Sequence, residues 1–308
     1  MVIHDRSYAR WESDRSKPVR ATWVIMDRGV TTAFAQIFKR KLLGQLLSFW
    51  AFGPFLFAVG LLYAGFYLRS NQESFGDAFA ALQQTDLLAQ VTPSAQTVWQ
   101  YFMEVQIWVC LVITVVVGAG LIAEDRRVNA LEMYLSRPLA VWQYVLGKLA
   151  IIAFFLALVT VIPVCLLITL QAFLDGFEAE ETARLADLML RSVVVGALYV
   201  GVLSILILAV SALSRRARNA SILWVGLIVM VEGVLSSNLQ ANFLSPSTQL
   251  MSLYFNLSHC AAWVLGNETV LAANAGVSVG DSAMVLGAWC ALALTVLLRR
   301  IRPVEIVA

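Results

Sequence analysis

The chain has 308 residues, 60% of them hydrophobic and only 14% charged, with a formal net charge of +2. Soluble domains are about 45–50% apolar and about 25% charged, so this balance excludes an ordinary water-soluble domain and assigns most of the chain to a bilayer. The near-neutral charge gives no sign of a nucleic-acid partner.

About forty mostly polar and basic residues precede the first apolar run, with no signal-peptide core, so that run reads as an uncleaved anchor. Within them, residues from Val30 to Leu43 read as an amphipathic helix. Val30, Phe34, Ile37, Phe38 and the stem of Lys41 share one face, while Thr31, Thr32, Gln36, Lys39 and Arg40 lie mostly off it. Such a helix suits the headgroup plane, with its cations near anionic lipid. A plain cytoplasmic extension of the first span is the alternative. Residues 1–42 are thus expected to be a cytoplasmic segment carrying an interfacial helix, and residues 43–308 the membrane domain.

Six apolar runs are long enough to approach the roughly 20 residues that cross a hydrocarbon core. They are Leu43–Tyr67, Trp99–Ala123, Leu149–Leu174, Leu190–Leu213, Ser221–Leu239 and Ser282–Leu298. The expected fold is all-α, a polytopic membrane protein of six transmembrane helices. Lysine and arginine are retained on the cytoplasmic side. Only Arg69, Arg184 and Arg191 of the 22 basic residues fall in segments that this topology puts outside. Both termini are therefore expected in the cytoplasm. The same rule settles Leu250–Gly266, a moderately apolar segment containing Asn256, Ser258 and His259. Were it a span, the basic tail Arg299, Arg300 and Arg302 would lie outside. It reads instead as a re-entrant or interfacial element on the outer side, covered by protein before the last span.

The loop after the second span carries the most information. Glu124, Asp125, Arg126 and Arg127 open it, and acidic residues suit a helix N-terminus. Val128, Leu131, Tyr134 and Leu135 then form an apolar stripe, and Arg137-Pro138 ends the helix, because a residue before proline disfavours the α region. A short amphipathic helix with an apolar ridge and flanking charges suits a groove on another protein; folding back onto its own bundle or onto lipid is equally open from pattern alone.

The run Gly120–Lys148, with E-D-R-R-x-N-A-L-E-x-x-L-S-R-P followed by Y-V-L-G-K, resembles the first cytoplasmic loop of ABC transporter permeases of the type-two exporter class. The likeness is close over about thirty residues, and the architecture agrees along the whole chain. It implies a coupling helix that docks on a separate ABC ATPase subunit. It also implies a second permease copy or homologue around a central pathway, in a multi-pass protein of the bacterial cytoplasmic membrane. The residues placed in the coupling role are Glu124, Asp125, Arg126, Arg127, Leu131, Leu135 and Arg137, with Arg215 and Arg216 of the second basic loop.

Gly147-Lys148 lacks the remainder of G-x-x-x-x-G-K-[ST], so this chain holds no ATP-binding loop. ATP and Mg are expected on the partner, with no cofactor or metal in this chain. The histidines, His4 and His259, do not form a metal motif. Cys110, Cys165, Cys260 and Cys290 make no C-x-x-C pair and read as small buried hydrophobes. Gly276-Val277-Ser278-Val279-Gly280 matches G-x-S-x-G, but that motif needs an α/β elbow, so no catalytic residue is assigned. Glu104 and Glu232 lie inside spans. Ionisable groups there are costly and often line pathways, and hydrogen-bonded glutamates that hold helices together are the alternative. Gly118, Gly120, Gly196 and Gly201 read as sites of close helix packing. A stand-alone secondary transporter or channel, and a membrane scaffold whose ATPase partner works on an outer protein, are the competing functions. The absence of a convincing internal repeat disfavours the first.

Overall fold

The computed structural model describes residues 18–39, 41–71, 95–130, 141–174, 176, 179–234, 246–274 and 276–301. Among these the regular structure is helical and contains no strand. In chain order the helices are α1 (Pro18–Lys39), α2 (Lys41–Ser70), α3 (Ala95–Ile113), α4 (Ala123–Arg127), α5 (Val141–Val159), α6 (Val161–Leu174), α7 (Ala179–Leu213), α8 (Ala217–Ile228), α9 (Leu253–Leu265), α10 (Glu268–Ala273) and α11 (Val279–Arg300). Two π-helical segments extend α3 and α8, at Thr114–Gly118 and Val229–Val234, and a 3-10 turn at Pro246–Met251 precedes α9.

Five stretches are long and apolar enough to cross a membrane among the described residues: Gly44–Leu68, Val98–Arg127, Val141–Leu174, Glu180–Leu213 and Val279–Arg300. They coincide with five of the six expected spans. The remaining one, Ser221–Leu239, is helical through α8 and its π segment to Val234, and its end lies outside the described residues. The protein is an all-α polytopic membrane protein. Its helices outrun the apolar runs that mark them. At about 1.5 Å per residue, the 35 residues of α7 reach roughly 50 Å, well beyond the roughly 30 Å hydrocarbon core. The excess is the polar start of α7, where Glu180, Arg184 and Asp187 are exposed.

The fourth span, α7, is the centre of the bundle and packs against α5, α6, α8, α9 and α11. Val195, Tyr199, Leu203, Ile207, Leu208 and Ala212 on it are fully buried. In lipid, helices associate by close packing rather than by escape from water. Gly118 serves this, since a Cβ there would stand 2.8 Å from the Ile207 side chain, and so does Gly196, whose Cβ would stand 2.8 Å from Val161. Gly201 faces open space instead, and Gly120 makes only ordinary contact with Ala217. The third span is α5 and α6 in sequence, interrupted at Thr160. Pro163 cannot donate to the carbonyl of Val159 and its ring crowds that turn, which accounts for the interruption.

α1 is longer than the expected amphipathic segment, but its face is the expected one. Val30, Phe34 and Ile37 point inward and Thr31, Thr32, Gln36 and Lys39 outward; the side chains of Phe38, Arg40 and Lys41 lie outside the described residues. The inward face packs on α5. A Cβ on Gly147 would meet Ile25 at 2.8 Å, one on Gly29 would meet Ile151, and the rings of Phe34 and Phe155 lie 4.8 Å apart. The pairs rise together in number, so α1 and α5 run side by side in the same direction.

The segment before the last span is a short helix packed on the bundle. α9 has 13 residues, about 20 Å of helix, too short to cross. It is packed on α7 and α11 with Asn256 and His259 buried. Tyr254 stacks on Trp108 of α3 at 5.2 Å.

Candidate functional site

The second span does not run straight into the loop. After the π segment, residues 119–122 form a turn before α4. Such a break frees backbone groups that hydrocarbon cannot satisfy. Ser211 of α7 supplies the missing partners: its hydroxyl accepts from the backbone N–H of Ile122 (3.1 Å) and Ala123 (3.0 Å) and donates to the carbonyl of Ala119 (2.8 Å). Below the break, Trp224 of α8 donates its indole N–H to Thr114 Oγ1 at 3.1 Å, which ties the π segment to the fifth predicted span. The break is thus a built feature, held by α7 and α8.

α4 carries the four charges of the predicted coupling cluster, and they divide into two kinds. Asp125 and Arg126 are engaged within the chain. Asp125 Oδ2 accepts from Tyr144 Oη at 2.6 Å and pairs with Lys148 Nζ at 2.7 Å, both on α5. Lys148 is buried and also lies over the Tyr144 ring at 5.5 Å. Arg126 Nη1 donates to the carbonyl of Ala212, one of the last carbonyls of α7 that have no partner within their own helix. Glu124 and Arg127 instead pair with each other at the surface, Arg127 Nε donating to Glu124 Oε1 at 3.0 Å, and both stay about half exposed. Arg215 and Arg216 are exposed in the turn between α7 and α8. Arg215 and Arg300 lie close enough to Arg126 to act on it electrostatically, so segments far apart in sequence bring their arginines to one end of the bundle.

The helix expected to run from the Glu124 cluster to Arg137-Pro138 is interrupted after Arg127: residues 128 and 129 form a turn, with Asn129 in a left-handed conformation (φ 53°), and residue 130 is helical again. Asparagine tolerates that region better than most residues, so it closes α4 as a separate stub. Leu131, Leu135 and Arg137 lie outside the described residues.

The two membrane glutamates differ. Glu232, on the π segment after α8, is buried and accepts from Ser252 Oγ (2.6 Å) and from the backbone N–H of Tyr254 (2.9 Å). With Ser252 Oγ accepting from Phe255 N (2.9 Å), it caps the N-terminus of α9, where a carboxylate is favoured by the helix dipole. Glu104, on α3, lines a small cavity with Gln100, Tyr199, Ser258 and Asn267. The G-x-S-x-G serine does not meet the histidine: Ser278 caps α11, accepting from Asp281 N at 3.1 Å, while His259 Nδ1 lies 3.0 Å from Ser282 Oγ. Burial lowers the His259 pKa below its ordinary value, which favours the neutral imidazole in that contact. All four thiols are free. Among the described residues no group of three or more histidine, cysteine or acidic side chains is placed to hold a metal.

The family model described as ABC-2 family transporter protein matches residues 40–300. The chain belongs to the ABC-2 transporter family. No curated protein matches it. As an ABC-2 permease it is the membrane subunit of an ABC transporter, and the family pairs with an ABC ATPase subunit. Within this permease, sequence reasoning missed Ser211, Tyr144 and Tyr199. Each is a polar group inside an apolar run, and that is the signal by which they were there to be found. Lys148 ends the Gly120–Lys148 run, and the opposite charge at Asp125 in the same run is the signal for their pair.

Proposed function

We propose that this permease is the membrane half of an ATP-driven exporter, energised by separate ATPase subunits that bind ATP and Mg, and working beside a second permease copy or homologue. Its arginine-rich end faces the cytoplasm of a bacterial cell, both termini included, in line with the retention of basic residues on that side. The observation that carries the reading is the division of charges on α4. Asp125 and Arg126 bind the stub to α5 and α7, while Glu124 and Arg127, with Arg215 and Arg216, stay turned outward. A push on the stub therefore reaches the third and fourth spans through short charged hydrogen bonds, without a flexible relay. Ser211 transmits the same push to the break in the second span. Closure of the ATPases biases the spans only through contacts that differ between their inward-open and outward-open or occluded states, and the outward-turned charges are the groups available to make them. Apolar side chains on α2 and on the π segment after α8, such as Phe49, Phe57 and Met230, are exposed in the single chain and suit lipid or the second permease.

The test starts from tagged full-length chain purified from its native membranes, with an ABC ATPase expected in stoichiometric amount. In that complex, the double reversal Arg127→Glu with Arg216→Glu should leave folding and α4 anchoring intact and cut transport per ATP hydrolysed roughly tenfold or more, since like charges placed across an interface cost several kcal/mol. Transport and ATPase stimulation at the original level in a normally assembled complex would overturn the assignment of these charges to coupling.

A further inference from the structure

The cavity beside Glu104 sits between α3, α7 and α9, at the end of the bundle opposite the arginines. Its polar lining is Gln100, Glu104, Tyr199, Ser258 and Asn267, and its volume is about 10 Å³, room for one water-sized occupant. Tyr199 is fully buried, and its hydroxyl has no hydrogen-bond partner. A buried phenol normally finds one. Glu104 is half-buried and, among the described residues, makes no hydrogen bond or ion pair. It lies within electrostatic range of Tyr199. The guanidinium of Arg191, which lies beside Gly266, is engaged by Asp187 at 2.7 Å.

Three occupants would suit a site of this size. A water molecule satisfies the phenol but leaves a carboxylate uncompensated among apolar helices, which is costly. A proton on Glu104 removes the charge and leaves a carbonyl oxygen that can accept from the phenol, but then nothing in the cavity holds a charge. A compact monovalent cation keeps the carboxylate ionised and compensates it in place. The lining offers one negative charge and otherwise neutral oxygens, the donor set of a hard cation. A divalent ion would demand more carboxylates or more room for its waters than the cavity gives.

We propose that this cavity is a binding site for a compact monocation, a sodium-sized ion or a primary ammonium group, held by the Glu104 carboxylate and the Tyr199 hydroxyl. Occupied, it joins α9 to the second and fourth spans, so the cation stabilises the arrangement in which these three helices meet. The proposal stands apart from the ATPase partnership and is tested without it.

The experiment is thermal unfolding of the full chain in lipid nanodiscs, at fixed ionic strength, with sodium, potassium or methylammonium chloride titrated against choline chloride. A ligand that binds only the folded state raises Tm in a saturable way. The expected result is such a rise with sodium or with methylammonium, absent with choline; which of the two acts identifies an inorganic ion or an amine group. The rise should vanish in Glu104→Gln. It should need roughly tenfold or more ligand in Tyr199→Phe, as loss of one oxygen facing a charged group predicts. Identical behaviour in all salts, or a rise that survives both substitutions, overturns the proposal and leaves water or a proton as the occupant. If Glu104→Gln does not fold, Tyr199→Phe alone decides, because it removes a single atom from the same cavity.

Discussion

Glu104 and Glu232 face each other across the same structural problem and meet it in opposite ways. Glu232 sits among donors: the Ser252 hydroxyl and the Tyr254 N–H reach its two oxygens at 2.6 and 2.9 Å, at the positive end of α9. Glu104 lines a cavity against the same helix and, among the described residues, has neither hydrogen bond nor ion pair. A membrane-embedded carboxylate can therefore be a fastener or an open ligand group, and the sequence position alone does not say which. What separates them is whether the neighbouring helix presents a terminus, with unsatisfied N–H groups, or a side, whose backbone groups are already bonded within the helix. α9 offers Glu232 its start and Glu104 its flank.

The largest effect should come from breaking the fastener. Glu232→Ala removes the acceptor for two donors at once. Each hydrogen bond to a charged group is worth about 1.5–3 kcal/mol, but bonds inside membranes measure towards the low end because the unfolded chain finds other partners there. The expected loss is about 3 kcal/mol, read as the shift in reversible unfolding in mild detergent. α9 should also become accessible first, visible as early hydrogen exchange at Tyr254 and Phe255. A loss below about 1 kcal/mol would show that the carboxylate does not hold α9.

The same reasoning applies at the far end of the second span, where no carboxylate is involved. Ser211→Ala removes the hydroxyl that bonds the turn at residues 119–122, leaving the N–H groups of Ile122 and Ala123 and the carbonyl of Ala119 without it. A buried polar group left unsatisfied costs about 1–3 kcal/mol. The turn can recover part of this by tightening into helix, so about 2 kcal/mol is expected. Ser211→Thr keeps the hydroxyl and should recover much of the loss; equal losses in both variants would point to packing at Ala212 and Ile207 rather than to the hydroxyl.

How far the chain could be read in advance follows from the same physics. Apolar runs marked the middles of the spans, because hydrocarbon thickness selects for them. The ends of the helices were not marked, because Lys148 and the polar start of α7 continue in helix beyond the apolar stretch. The basic tail led to the expectation that α9 does not cross, and its 13 residues are too few to do so. The apolar face of α1 was legible from its period; that the face is covered by α5 was not, since periodicity names a face and never its partner. The cluster at Glu124–Arg127 was visible as charge. Its division into internal anchors and outward charges was not, because Arg126 finds its acceptor on Ala212, 86 residues away. The cavity at Glu104 was the least legible, since it requires side chains from three helices to converge.

The smallest effect, and the sharpest test of the comparison, belongs to Glu104→Gln measured with choline as the sole cation. If the carboxylate has no partner when the cavity lacks a cation, removing its charge costs nothing. Replacing an uncompensated buried ion by a neutral group of the same shape is neutral to stabilising. The expected change therefore lies between zero and a gain of about 1 kcal/mol, opposite in sign to the loss at Glu232. The amide keeps the size of the acid, so cavity formation does not confuse the comparison. A loss of about 2 kcal/mol or more in choline would mean that Glu104 is itself a fastener, and the two glutamates would then share one role. No change in choline combined with a loss in sodium would separate them: one carboxylate bound by its own protein, the other waiting for a cation.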